Sequence, residues 1–302
     1  TIKNNTIQNY YYYGVFNYYN NGNQILNNDI SRDNSTSFNC YSINYVMYNY
    51  QNYCTNRSTK IEGNKIHDLP YKNATSGYTS TFYGMYNYYG YGNTNNYYTI
   101  KDNTYENIVC NSTNYYSYGY YNYYSKYDGN TIDNWQSLGS SSYNYGFYMY
   151  YHYNDHIFSN NTIKNCFTKY YTYFAYSFYG DRKEFNNNVV KNNVTADGST
   201  GYTYGFYIYY PSSSATNEFN GNVIDSNDFG SYTYVTYIYY FNGTTNNNRI
   251  TNNRIYNANY SSYYGYIYGL ANMYYFNLQC NNNLIANNVG YYGILSLYCY
   301  SY

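Results

Sequence analysis

The sequence predicts an all-β fold: one chain wound into a parallel β-solenoid of about ten coils, each of about 31 residues. Three observations predict it. A motif, apolar-x-x-Asn-x-apolar, recurs ten times. A Tyr-rich strand recurs ten times between its copies. Both recur with the same average step, and two unrelated motifs with one period belong to two sides of a single repeating coil.

The Asn motif opens each coil. Its copies centre on Asn5, Asn28, Asn64, Asn103, Asn130, Asn161, Asn188, Asn222, Asn253 and Asn283, which span 278 residues in nine steps. Ile2 and Ile7 flank the first copy, Ile61 and Ile66 the third, and Phe219 and Ile224 the eighth. Strands that recur once per coil stack parallel and in register, about 4.8 Å apart. The ten Asn side chains therefore form a ladder, each amide donating to the next and accepting from the one before. The expected place for this Asn is a sharp corner between two strands, in the left-handed conformation that Asn tolerates. A second column follows four residues later, at Asn9, Asn107, Asn134, Asn165, Asn192, Asn257 and Asn287, with Arg32, Asp68 and Ser226 interrupting it.

The Tyr strand closes each coil. Its copies start near Gly14, Val46, Gly84, Gly119, Gly146, Phe174, Gly205, Val235, Gly265 and Gly293. Side chains alternate with period two. One face then carries a column through Tyr86, Tyr121, Tyr148, Tyr207 and Tyr237, ending on Ile267 and Leu295. Beside it runs a column through Tyr88, Tyr123, Tyr150, Tyr209 and Tyr239, ending on Gly269 and Leu297. The other face carries Val15, Met47, Met85, Tyr120, Phe147, Ala175 and Phe206, with Asn17, Asn49 and Asn87 beside them. The ten tyrosines of the two columns are the candidate contacts to a partner or a glycan. The columns either point inward as core or outward as a surface. Two arguments favour outward: a buried hydroxyl needs a partner, and a narrow coil holds two full Tyr columns with difficulty. Insertions fall in the corner loops, where a solenoid tolerates them.

The I-x-x-N-x-I-x-x-N spacing resembles the coils of right-handed parallel β-helix proteins. It is most similar to the Asn-rich repeats of adhesin-like surface proteins from methanogenic archaea and some bacteria. The resemblance covers nearly the whole chain. It implies a single-stranded right-handed β-helix at the cell surface, in one continuous unit over residues 1–302 that forms a segment of a longer chain. The Tyr content departs from the Thr, Ser and Val usual in such repeats.

Composition narrows the function. Charged residues make up 10% and the formal net charge is zero, which argues against a nucleic-acid surface. No window is apolar enough for a membrane span. Cys40, Cys54, Cys110, Cys166, Cys280 and Cys299 show no metal-ligand spacing, and small buried side chains are their expected role. No cofactor motif stands out. Trp135 is expected over a coil corner. His152 and His156 form an H-x-x-x-H pair, expected at a strand end where that spacing does not converge on a metal.

The best charged column follows the second motif residue outward: His67, Glu106, Asp133 and Lys164. It is the candidate for a polysaccharide lyase or hydrolase, which needs carboxylates grouped on one face. A surface ladder of alternating charges is the other reading. The leading expectation is a non-enzymatic extracellular structural protein, a rigid stalk or filament subunit. It self-associates, packs against other surface proteins or binds glycans through its tyrosines.

Overall fold

The computed structural model describes all residues except 11, 33–43, 71–80, 111–112, 140, 197–200, 212–215, 231, 242–247, 261–265, 277, 289–291 and 301–302. Among the described residues the fold is all-β. Its strands form one sheet of 18 and one of 14, and the pairings between successive coils are parallel. The chain is a parallel β-solenoid.

Each coil has three faces. A short strand comes first, as in Gln24–Leu26 or Lys60–Glu62. The ladder Asn turns the chain into a second strand, such as Asp29–Ser31 or Thr104–Cys110. The long Tyr strand then forms the third face, as in Asn44–Tyr53 and Thr81–Tyr91. Thr113–Asp128 and Asn144–Ser159 run on from the Tyr face into the first face of the next coil. The second-face strands stack along a path of ten, from Thr6–Gln8 to Leu284–Ala286. About seven turns are complete, fewer than the ten coils expected.

The apolar residues of the motif fill the lumen. Ile25, Ile61, Ile100, Phe158, Phe185 and Phe219 enter it from the first face and Ile30, Ile66, Ile132, Ile163, Val190 and Ile224 from the second, all at 2% exposure or less. Burying each such side chain contributes roughly 1.5–3 kcal/mol.

Between them the Asn ladder is continuous from Asn5 to Asn283. Each Asn Nδ2 donates to the next Oδ1 at 2.8–3.1 Å. Each backbone N–H donates to that same Oδ1 at 2.9–3.1 Å. From Asn28 onward, Nδ2 also donates to a first-face carbonyl of the coil before, at 2.8–3.2 Å. An interior ladder amide thus uses both its donors and both its acceptor sites.

The corner differs from the expectation in one respect. The left-handed residue is the one before the ladder Asn: Asn4, Asn27, Gly63, Asp102, Gly129, Asn160, Asn187, Gly221, Asn252 or Asn282. Only Asn, Asp and Gly stand there, and these types bear a positive φ at least cost. The ladder Asn itself aims its amide inward. The second Asn column does turn left-handed, at Asn9, Asn107, Asn134, Asn165, Asn192, Asn257 and Asn287 and at the interrupting Asp68 and Ser226. Trp135 does not cover a corner. It is fully buried, its ring 4.5 Å from that of Tyr116.

Candidate interaction surface

The Tyr strands place their aromatic rings outward. The inward positions hold Val15, Met47, Met85, Phe147, Ala175 and Phe206, with Asn17, Asn49 and Asn87 beside them, all buried. The rings stand half-buried on the outer surface.

Register corrects two coils. Gly119 pairs with Asn87, not with Gly84, so Tyr118 follows Tyr86 and Tyr120 follows Tyr88. Ser117 takes the buried inward position expected for Tyr120. Tyr121 and Tyr123 remain outside, in two further columns. In the ninth coil Ala271 and Met273 follow Tyr237 and Tyr239, in place of Ile267 and Gly269. The other eight candidate tyrosines stand in the columns expected of them.

Among the described residues, five columns of closely stacked rings stand out. The first runs through Tyr83, Tyr115, Tyr145 and Tyr173, with rings 4.8–5.0 Å apart. The second runs through Tyr86, Tyr118, Tyr148, Tyr176, Tyr207 and Tyr237 at 4.9–5.2 Å. The third runs through Tyr88, Tyr120, Tyr150, Phe178, Tyr209 and Tyr239 at 4.7–5.2 Å. The fourth runs through Tyr89, Tyr121, Tyr151, Tyr179 and Tyr210 at 5.1–5.2 Å. The fifth runs through Tyr53, Tyr91, Tyr123 and Tyr153 at 4.9–5.3 Å.

Neighbouring columns alternate in tilt. Tyr83 meets Tyr86 at 84°, Tyr86 lies within 2° of Tyr88, and Tyr88 meets Tyr89 at 90°. The result is a herringbone lattice, in which each ring stacks on its column and presents an edge or a face to the next. Both geometries are the favoured ones for aromatic pairs. The fourth column exists because its residues have a positive φ, 56° at Tyr89 and 52° at Tyr151. A bulky residue rarely adopts that conformation. The turn places two consecutive side chains outside, and the edge contact to the preceding ring, 4.3–4.7 Å, compensates.

Packing phenols against phenols removes water from the hydroxyls. Burial, then the charge that each neighbouring phenol would carry, raises Tyr48 to about 12 and pushes Tyr86, Tyr118, Tyr148, Tyr176 and Tyr207 further up, while burial and then a hydrogen bond with Tyr89 raise Tyr88 to about 12. These groups stay neutral throughout the physiological range. Because the ring faces already cover one another, the lattice offers a visitor ring edges and hydroxyls.

The charged column forms as expected: Glu106 pairs with His67 on one side and Asp133 on the other, and Asp133 with Lys164. Each acid is engaged by a lysine, Glu106 by Lys65 at 3.2 Å and Asp133 by Lys164 at 3.0 Å. His67 lies 2.9 Å from Asp29 and 2.7 Å from Asp68. This is an exposed ladder of ion pairs, of little energetic weight.

The His152–His156 pair does not lie at a strand end: both residues fall inside the strand Asn144–Ser159 and their rings are fully buried in a polar cluster of the lumen. Ser125 Oγ lies 2.9 Å from His152 Nδ1 and 2.8 Å from His156 Nδ1, and the two nitrogens are 3.1 Å apart. Lys183 is fully buried one coil further on and donates to Ser177 Oγ at 2.6 Å. Burial lowers His152 to about 3 and Lys183 to about 7. His156 shifts down for the same reason. All five side chains are enclosed by the wall of the solenoid, so the cluster does not face a substrate.

Among the described residues no group of three or more His, Cys, Asp or Glu converges on a metal position. Cys54, Cys110 and Cys166 are buried free thiols and Cys280 is an exposed one, while Cys40 and the side chain of Cys299 lie outside the described residues. No helix is long and apolar enough to cross a membrane. Comparison with protein-family models, curated proteins and solved structures finds no match to this chain.

Proposed function

We infer that this chain is a non-enzymatic structural protein, a rigid rod whose Tyr lattice is its contact surface. One observation carries the reading: five columns of outward aromatic rings form a continuous, neutral surface on one side of the solenoid. Contiguous exposed apolar surface beyond a few hundred Å² marks interaction sites, and Tyr supplies rigid contact area at low entropic cost. The resemblance of the repeats to adhesin-like proteins suggests an extracellular place, in a stalk or filament at the cell surface. Self-association and contact with other surface proteins are the modes that the lattice favours. Glycans would meet hydroxyl edges, because the ring faces are occupied. Polysaccharide cleavage through Glu106 and Asp133 is less well supported, since lysines engage both carboxylates on an open sheet.

The test joins a binding assay to a turnover assay. Binding of the intact protein to immobilised glycans and to cell-wall material, weakened by substitutions in the lattice, together with no release of reducing ends or unsaturated products, supports the reading. Polysaccharide turnover abolished by Glu106→Gln or Asp133→Asn in a folded variant would overturn it.

A further inference from the structure

We propose that the Tyr lattice pairs with itself, so that two copies of this chain join face to face through it about a two-fold axis. The proposal deepens the reading of the Tyr face as the contact surface and commits it to one occupant.

The first argument is commensurability. Rings recur every 4.9–5.2 Å along the second column. Across the strand, from second to third column, they recur every 5.8–6.1 Å. A partner that interdigitates with such a surface must share the axial period, which belongs to stacked parallel strands. A second copy shares it in every column.

The second argument is chemical. Each phenol hydroxyl both donates and accepts, so the lattice is its own complement and leaves no hydroxyl orphaned. No ammonium or carboxylate interrupts the columns, and Asp181 stands beside Tyr153 only at the rim of the fifth, so the centre of the patch brings no like charges together across the two-fold. The ion pairs Lys65–Glu106 and Lys164–Asp133 lie on the second face, which stays in water. A strongly charged partner would find no counter-charge among the rings.

The third argument is size. Three of the columns continue over eight coils, from Tyr13, Phe16 and Tyr18 to Tyr234, Tyr237 and Tyr239, and with the two shorter ones the lattice covers on the order of 1000 Å², against roughly 800 Å² per partner in a stable complex. A two-fold interface uses the same patch on both copies, and the lattice is one continuous patch. Since the ring faces are already covered within each copy, pairing buries ring edges and hydroxyls, the dry interdigitated contact seen between paired sheets.

Small-angle scattering and sedimentation velocity over a wide concentration range test this. The expected result is a doubling of mass, with a larger cross-section and an unchanged rod length. Tyr120→Glu, in the middle of the third column, should weaken pairing at least tenfold. Gln136→Glu, on the second face, should leave it unchanged, with far-UV circular dichroism confirming that both variants fold. Hydroxyl-radical footprinting of the wild type at low and high concentration requires no variant. It should show protection of peptides containing Tyr120 and Tyr150 and not of those containing Gln136. A protein monomeric at every concentration overturns the proposal. So does a rod that lengthens without thickening, or a pairing indifferent to a folded Tyr120→Glu. A chain that stays monomeric yet adheres to glycan or cell-wall material through its tyrosines sinks self-pairing alone. One that does neither removes the contact-surface reading as well.

Discussion

Replacing Asn130 with aspartate changes one atom group in the middle of the ladder. Asn130 Nδ2 donates to Asn161 Oδ1 at 2.9 Å and to the Ile100 carbonyl at 2.9 Å. Its Oδ1 accepts from the N–H and the Nδ2 of Asn103 at 3.1 and 3.0 Å. A carboxylate in its place would keep the two accepted bonds and lose the two donated ones. The new oxygen would face two acceptors, with no water to relieve it, because the site is fully buried. Asn161 Oδ1 keeps the backbone N–H of residue 130, so the cost is two lost bonds and a buried charged oxygen without a donor. At about 1–3 kcal/mol for each unmade buried bond, Asn130→Asp should destabilise the protein by roughly 3–5 kcal/mol at neutral pH.

The pH dependence has a definite sign. Facing two acceptors raises the folded carboxyl above its unfolded value, so the native state binds the extra proton and the deficit shrinks as pH falls. Asn5→Asp is the internal control, because Asn5 is exposed where Asn130 is buried. Its cost should stay under about 1 kcal/mol. Urea unfolding followed by far-UV circular dichroism at pH 7 and pH 5 measures both. An Asn130→Asp variant within about 1 kcal/mol of wild type at pH 7, or equal to Asn5→Asp, would refute the saturated ladder.

Other perturbations test other parts of the molecule. Lys183 has a folded value near 7 against an ordinary value of about 10.4. The unfolded chain therefore binds the extra proton between these values, and wild-type stability should rise with pH from about 7 to 10. Lys183→Met should remove that slope and stabilise the protein at pH 7 by up to roughly 5 kcal/mol; an unchanged slope in thermal scans would place the amine in water. Gln51 interrupts the fourth column between Tyr19 and Tyr89, with φ near 50° and a shielded, unpartnered Oε1. Gln51→Tyr should complete the stack and add about 0.5–1.5 kcal/mol, and a loss of stability would count against the lattice. Glu106→Gln and Asp133→Asn, which break exposed ion pairs, should each shift stability by less than about 1 kcal/mol. A larger loss would mean that the second face bears weight not visible in its geometry.

How much of this was legible in the sequence depended on how distinctive each column is. The Asn ladder was plain, since one polar type sits in phase with two apolar neighbours ten times over. The left-handed residue before it was equally readable, because that position holds only Asn, Asp or Gly, but the ladder Asn seemed the more natural host. The Tyr register failed in the fourth coil for a physical reason. From Tyr115 to Tyr123 the strand is so dense in tyrosine that two alignments, three residues apart, both alternate. Only the pairing of Ser117 with Met85 settles which side faces the lumen. The interior cluster was legible only as the H-x-x-x-H pair. Titratable residues are seldom fully buried, and only the stacking of His156 above Ser125 and of Lys183 above His156 shows that they line the lumen.

The account rests on a lattice of phenols that shield one another, and an ultraviolet titration of the folded protein tests it most directly. If the lattice exists, Tyr86, Tyr118, Tyr148, Tyr176 and Tyr207 of the second column ionise well above the ordinary phenol value of about 10, and their part of the absorbance rise coincides with loss of the far-UV β signal. A rise centred near pH 10 with the β signal intact would show phenols solvated one by one and would contradict the account.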